Sequence, residues 1–443
     1  MELSTSNLTY KKIFLFWLPL AATWLMMSVE GPFLSAIIAR MVSPKFNLAA
    51  YGVAFSFALI IEAPVILLMS ASTALVKGRH SFIKLRNFTY FLNTIVTILM
   101  LVLVFPPLFY SISIGLINLP VEVAKLTHLA IIILIPWPGA IGYRRFYQGI
   151  LIRNNLTRRV AYGTVVRIST MSITALYFYL FTKVDGVVVA ASALSIAVTS
   201  EAIASKFMAG KIIKKLKSGD NEQDDNSQLT YRDIYRFYYP LALTSLLTLG
   251  VQPMVTFFIG QSRMALESLA VLPVIVFFVF IFRSFGMSFQ EVGIALLGKK
   301  KEGYKQLKRF VLIVGSVVVL ALGVIAFTPL SKIWFHNVSG LSTELTELAR
   351  IPLMILVLIP GTSFLLSFQT AILVEARNTK PISIATGIEF STIILVLIIS
   401  IKYFSAVGVV AAVLAFIIGR LASNGYLLGP MLKEIRKNAG NVE

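Results

Sequence analysis

Y-K-K-I-F-L-F-W-L-P-L-A at residues 10–21 returns at residues 231–242 as Y-R-D-I-Y-R-F-Y-Y-P-L-A, and this echo decides the fold. It places Pro19 on Pro240, and Pro32 then falls on Pro253 without a gap. The displacement of 221 to 222 residues holds to the end of the chain. Leu48-Ala49 matches Leu269-Ala270, Thr157-Arg158 matches Thr379-Lys380, and Gly186-Val187-Val188 matches Gly408-Val409-Val410. The second half is a diluted copy of the first. In a very apolar chain, such a repeat is the pattern of transporters built from two helix bundles around a central pathway.

Apolar residues make up 57% of the sequence and the mean hydropathy is +0.83, with no stretch resembling a sizeable soluble domain. Runs of roughly 20 or more apolar residues suffice to cross ~30 Å of hydrocarbon. Twelve occur, at approximately 13–38, 48–76, 88–114, 126–150, 160–181, 186–208, 234–259, 267–297, 310–333, 348–373, 381–403 and 406–428. They read as helices, because unpaired backbone groups cannot face lipid and the period-two alternation of a barrel is absent.

The net charge of +20 is distributed unevenly. Lys77, Arg79, Lys84 and Arg86 crowd one loop region, Arg153, Arg158 and Arg159 the next, then Lys211–Lys217, then 299–309. The intervening loops carry one or two cations each, such as Lys125, Lys183, Arg263, Lys332 and Lys402. The positive-inside rule puts the basic loops and both termini in the cytoplasm, in a cell inner membrane. Those loops also suit anionic lipid head groups, while they lack the interleaved aromatics on which nucleic-acid strands stack.

Six spans per half is an even number, so both halves start on the same side and the repeat is parallel. The expected architecture is all-α: two six-helix lobes related by a pseudo-twofold axis along the membrane normal, with a V-shaped central cleft. The N-terminal lobe would be 1–208 and the C-terminal lobe 231–443, joined by a flexible cytoplasmic linker at 209–230. That linker is basic at Lys211–Lys217 and acidic at 220–225. The first apolar run is too long for a cleavable signal. With no cysteine there is no disulfide, thiolate metal site or thiol chemistry.

The loop motifs narrow the family. F-Y-Q-G-I-L-I-R-N-N-L-T-R-R at 146–159 resembles the G-x-L-R-x-x-x-x-T-R signature of multidrug and toxic compound extrusion (MATE) transporters. S-F-Q-T-A-I-L-V-E-A-R-N-T-K-P at 367–381 is its weaker twin. A first span with Pro19 followed by Glu30, and a sixth opening G-V-V-V-A-A-S-A, are also similar. The resemblance covers nearly the whole chain. The wider superfamily contains polysaccharide flippases, MviN-type lipid II flippases and ANK-type anion exporters, and twelve spans argue against the lipid II flippases, which typically have two more. Three positions depart from the best-studied exporters: the first-span acid is Glu rather than Asp, the seventh span offers Gln252 in place of an acid, and Arg167 stands where an Asn or Asp often helps form a cation site.

Charged groups at bilayer depth cost several kcal/mol unless they face water or a partner, so each is a functional candidate. Glu30 lies beside the helix-bending Gly31-Pro32 and is expected to face the N-lobe interior, where freed carbonyls could join it around a proton or Na⁺. Glu62 and Arg283 occupy equivalent repeat positions, as do Arg167 and Glu389, one half supplying the acid and the other the base. Such pairs either meet across the cleft as a gate or hold helices within their own lobes. Glu291 lies eight residues past Arg283, ~12 Å along a helix and ~80° around it, and Gln290 falls almost under Arg283. Glu201 and Arg420 read as structural, and Arg144 and Arg145 as side chains that snorkel to the interface. Glu30, Glu62 and Glu291 are thus candidates for the coupling ion, and Arg283, Gln252, Gln290, Arg167 and Glu389 for the substrate cleft or gate.

These observations give two functional expectations. One is a secondary active multidrug exporter, antiporting organic, mainly cationic compounds against H⁺ or Na⁺ by alternating access, as a monomer in the bilayer. The other is a transporter or flippase of anionic cargo, a lipid-linked sugar phosphate or a small anion, motivated by Arg167 and Arg283. A pathway dominated by carboxylates favours the first and one dominated by arginine the second. No enzyme, cofactor or metal site is expected: His80, His128 and His336 lack a second ligand at metal spacing.

Overall fold

The computed structural model describes residues 8–154, 156–218, 229–298 and 301–439. Every expected span falls on helix, and among the described residues twelve helices are long and apolar enough to cross a membrane. In the first half, span one is α1 (Tyr10–Ser28) and α2 (Glu30–Ala39), and span two α3 (Pro44–Glu62) and α4 (Leu68–Leu75). Span three is α5 (Arg79–Val104), followed by the short α6 (Pro106–Tyr110); span four is α7 (Val121–Ile133) and α8 (Trp137–Arg153). Spans five and six are α9 (Thr157–Phe181) and α10 (Gly186–Ser218). In the second half, span seven is α11 (Tyr231–Gly260), and span eight α12 (Ala265–Met287) and α13 (Phe289–Leu296). Span nine is α14 (Tyr304–Phe327), then the short α15 (Leu330–Lys332); span ten is α16 (Thr343–Ile355) and α17 (Ile359–Glu375). Spans eleven and twelve are α18 (Lys380–Lys402) and α19 (Gly408–Ala439).

Five spans expected as continuous are broken, and prolines account for most breaks. Pro64 ends α3, because its ring and missing N–H interrupt the helical ladder; Pro136 separates α7 from α8 in the same way. Pro32 acts upstream of itself, so the first span breaks at Val29, not at Gly31-Pro32. Span eight breaks at Ser288 without a proline, beside Gly286. The second and eighth spans, and the fourth and tenth, are broken at corresponding places, as the sequence repeat leads one to expect. The linker also differs from expectation. α10 continues to Ser218, so the basic run Lys211–Lys217 is helical, its cations favourably placed at a helix C-terminus. The acidic stretch 220–225 lies outside the described residues.

The compact units do not coincide with the repeat halves. One runs from Ile37 to Gly260; the other joins the residues up to Ala36 to those from Gln261 onward. Each therefore contains the first span of the opposite repeat: α1 packs on α12, α13 and α14, and α11 packs on α3 and α5. The repeat survives in burial, since the sixth and twelfth spans are the most enclosed, 61% of each being buried. On the outside, Phe91, Phe181, Phe207, Phe327 and Phe404 stand exposed, as a bilayer-facing surface requires.

The exchanged first spans are held by matching hydrogen bonds. Trp17 donates its indole N–H to Ser288 Oγ at 2.8 Å, and Ser288 in turn donates to the Phe285 carbonyl at 2.8 Å. Tyr238 donates its hydroxyl to the Pro64 carbonyl at 2.5 Å. Trp17 and Tyr238 are repeat equivalents, and so are Phe285 and Pro64. In both units an aromatic donor from the incoming span thus satisfies a carbonyl at the break of the second span of the other repeat. Around Trp17 the rings of Phe285, Phe310 and Phe364 pack at 5.7–6.2 Å.

The motif at 146–159 holds α8 against α4. Gly149 leaves room for Ser72 and Met69, Ser72 Oγ donates to the Phe146 carbonyl at 2.8 Å, and Arg153 donates to the Thr73 carbonyl at 2.9 Å. Arg159 reaches the Met208 carbonyl on α10 at 2.5 Å.

Candidate transport site

In the 37–260 unit the helix breaks bring polar groups together at bilayer depth. Glu62 is the last residue of α3 and Trp137 the first of α8; the indole donates to Glu62 Oε2 at 2.5 Å. Two turns further along α8, Arg144 and Gln148 lie four apart on one face and meet Glu201 of α10. Arg144 forms a close ion pair with Glu201 Oε2, and Gln148 donates to Oε1 at 3.0 Å. Arg167 of α9 approaches the same Oε2 at 3.7 Å. Gly163 on α9 lies against the Glu201 side chain, where an added Cβ would make ordinary van der Waals contact at 3.5 Å. Arg145, next along α8, donates to the thioether of Met69 at 3.8 Å.

The other unit encloses a cavity of about 330 Å³. Arg283 from α12 and Gln290 and Glu291 from α13 reach it across the Ser288 break, Glu389 enters from α18, Arg420 from α19 and Trp24 from α1. Ser363, Ser367, Thr370, Thr386 and Ser423 line it as well, among apolar side chains such as Met287, Leu366, Ile382 and Leu427. Arg420 holds Glu389 at 2.8 Å. Arg283 has no hydrogen bond or ion pair to the described residues, and its Nε is buried without an acceptor. Glu291 is exposed, at the open side of the wall. Gln369 links α17 to α19 through the Asn424 carbonyl at 3.0 Å, as Gln148 links α8 to α10.

Four expected site residues therefore line one cavity: Arg283, Gln290, Glu291 and Glu389. Of the two symmetric charge pairs, three members find partners inside their own units, Glu62 with Trp137, Arg167 with Glu201, and Glu389 with Arg420, while Arg283 has none among the described residues. Glu30 begins α2, half-buried, and belongs to the unit with residues 261–443, not to an N-lobe interior; the adjacent Gly31 lies against Phe277. Gln252 is half-buried on α11. Arg144 does not snorkel: only 4% of it is exposed, and Glu201 holds it inward. Sequence reasoning undervalued Glu201 and Arg420, around which the buried charges are arranged. The spacing of Arg144 and Gln148, one helical turn apart, was the available signal for a shared partner.

No protein-family model matches the sequence, and no curated protein matches it. Solved structures do match over almost the full length. The lipid II flippase MurJ, in an inward closed conformation, aligns with a TM-score of 0.67 at 17% identity, covering 96% of this chain and 90% of that one. An inward-facing multidrug resistance MATE family transporter of the MOP superfamily aligns at 0.63 and 14%, covering 99% and 96%. The Vibrio cholerae MATE transporter VcmN, in the bent form, aligns at 0.59 and 15%, covering 96% and 98%. The chain is a multi-pass membrane protein with the fold shared by MATE transporters and MurJ. The likeness to MurJ stands beside that to MATE transporters at the level of fold.

Proposed function

We propose that the protein is a membrane transporter of the superfamily containing MATE exporters and lipid-linked flippases, and that its cargo presents an anionic head group. The observation that carries this reading is Arg283. Glu389 is engaged by Arg420, so Arg283 enters the cavity wall with no carboxylate of its own, and a guanidinium at bilayer depth is stabilised by phosphate or carboxylate. The surrounding serine and threonine hydroxyls suit a sugar or polyol. Movement would follow alternating access between the two halves, in a cytoplasmic membrane with both termini inside, as a monomer.

A second reading is favoured by Glu291 and Trp24 on the same wall: a carboxylate and an aromatic ring together attract organic cations. In that case Glu291, with Glu30 and Glu62, would serve H⁺- or Na⁺-coupled antiport of cationic drugs. Proteoliposomes separate the two. On the first reading a fluorescent lipid with a phosphate head group is translocated, Arg283→Gln abolishes this, and ethidium is not exported under an imposed proton or sodium gradient. Ethidium export that survives Arg283→Gln and is lost in Glu291→Gln would establish the second reading instead.

A further inference from the structure

The buried charges of the 37–260 unit do not balance. Arg144, Arg145 and Arg167 face Glu62 and Glu201, so three guanidinium groups share two carboxylates. Those carboxylates are already committed. Glu201 accepts from Arg144 and Gln148 and lies 3.7 Å from Arg167, while Glu62 accepts from Trp137. Among the described residues Arg145 is left with the Met69 thioether, a weak acceptor, and its buried Nε has no acceptor. Nor can it reach the interface by its own length. It lies eight residues inside the α8 C-terminus at Arg153, roughly 12 Å along the helix axis.

A buried guanidinium whose neighbouring carboxylates are already bonded to other donors is disfavoured unless an anion comes to it. Arg145 is half-buried as a residue, so part of its side chain remains accessible although its Nε is covered. Arg144 beside it is fixed by Glu201, which keeps the positive charge of the cluster in place. The neighbouring Met69 is held by packing of α4 on α8 around Gly149, so the wall opposite Arg145 is preformed.

We propose that Arg145 is the anchor of an anion-binding site in the 37–260 unit, distinct from the Arg283 cavity, that takes a halide or the phosphate oxygens of a lipid head group. The site does not depend on the cargo reading above, because its occupant compensates a fixed charge and need not be moved.

The test uses the full-length protein in nanodiscs. In discs of zwitterionic lipid, replacing gluconate with bromide at constant ionic strength should raise the melting temperature of the wild type and of Arg283→Gln. Arg145→Gln should lose this response, with apparent bromide affinity weakened about ten-fold or more, and Arg145→Lys should keep part of it. If the occupant is a lipid phosphate, bromide is silent and stabilisation appears instead when anionic lipid enters the disc, again only while residue 145 is cationic. Should Arg145→Gln fail to fold, bromide-soaked crystals of the wild type give the answer through an anomalous peak at the Arg145 guanidinium. The proposal is overturned if neither bromide nor anionic lipid stabilises the wild type, or if the response survives Arg145→Gln and disappears in Arg283→Gln.

Discussion

Glu201 is the acid around which the first-half charges are organised, and only 1% of it is exposed. Glu201→Gln keeps its shape and removes its charge, leaving Glu62 as the one carboxylate of the described cluster facing Arg144, Arg145 and Arg167. Loss of one partner in such a setting costs ~3–5 kcal/mol. We expect the variant to insert into the membrane but to unfold at markedly lower temperature in detergent, as measured by thermal melting. The Glu389–Arg420 pair allows a stricter test, since each side chain is an accessible single change. Glu389→Gln and Arg420→Gln should each destabilise more than the double variant, because the double leaves no orphaned charge. Additive losses in a double-mutant cycle would mean that the two residues contribute independently.

At the scale of elements, each exchanged first span carries an aromatic hydrogen-bond donor into the other repeat. Trp17→Phe and Tyr238→Phe delete the donors while keeping most of the ring packing. Each should cost ~1–3 kcal/mol, the penalty for a buried acceptor left unsatisfied. Equivalence in the repeat predicts losses of similar size, and chemical unfolding of the two variants side by side checks this. A glycine contrast tests helix packing. Gly149→Ala would place a Cβ 1.8 Å from Ser72 Oγ and 2.4 Å from the Met69 carbonyl, separating α8 from α4, and should cost at least ~1–3 kcal/mol. Gly387→Ala on α18 meets nothing within 4 Å and should be neutral or stabilising by up to ~1 kcal/mol. Equal melting temperatures for the two alanine variants would contradict the packing account.

At the scale of the whole molecule, the alternation of basic and poor loops predicts an orientation that this cysteine-free chain makes easy to test. Lys215 and Lys183 are both exposed, at opposite ends of the helical layer, on the basic tail of α10 and the loop before its start. A membrane-impermeant maleimide should label Lys183→Cys in intact cells and Lys215→Cys only after permeabilisation. The reverse pattern would invert the topology and place the basic loops outside.

The twelve spans and the repeat were legible in the residues alone. These follow from local properties: a run of apolar side chains must leave water, and a repeat is visible wherever residues recur in register. The proline breaks were half legible, because Pro64 and Pro136 announce an interruption, whereas the break at Ser288 has no such residue. What the sequence left open was partnership. Glu62 had been matched by repeat symmetry to Arg283, yet its hydrogen bond comes from Trp137, and Arg167 and Glu389 turn to Glu201 and Arg420. Symmetry relates positions without bringing them together, and a desolvated charge settles with the nearest group able to compensate it. The exchange of first spans was likewise invisible in a pattern that marks 10–21 and 231–242 as copies. Only the packing of α1 on α12 and of α11 on α3, with their aromatic donors turned to carbonyls freed in the other repeat, decided which helix belongs to which unit.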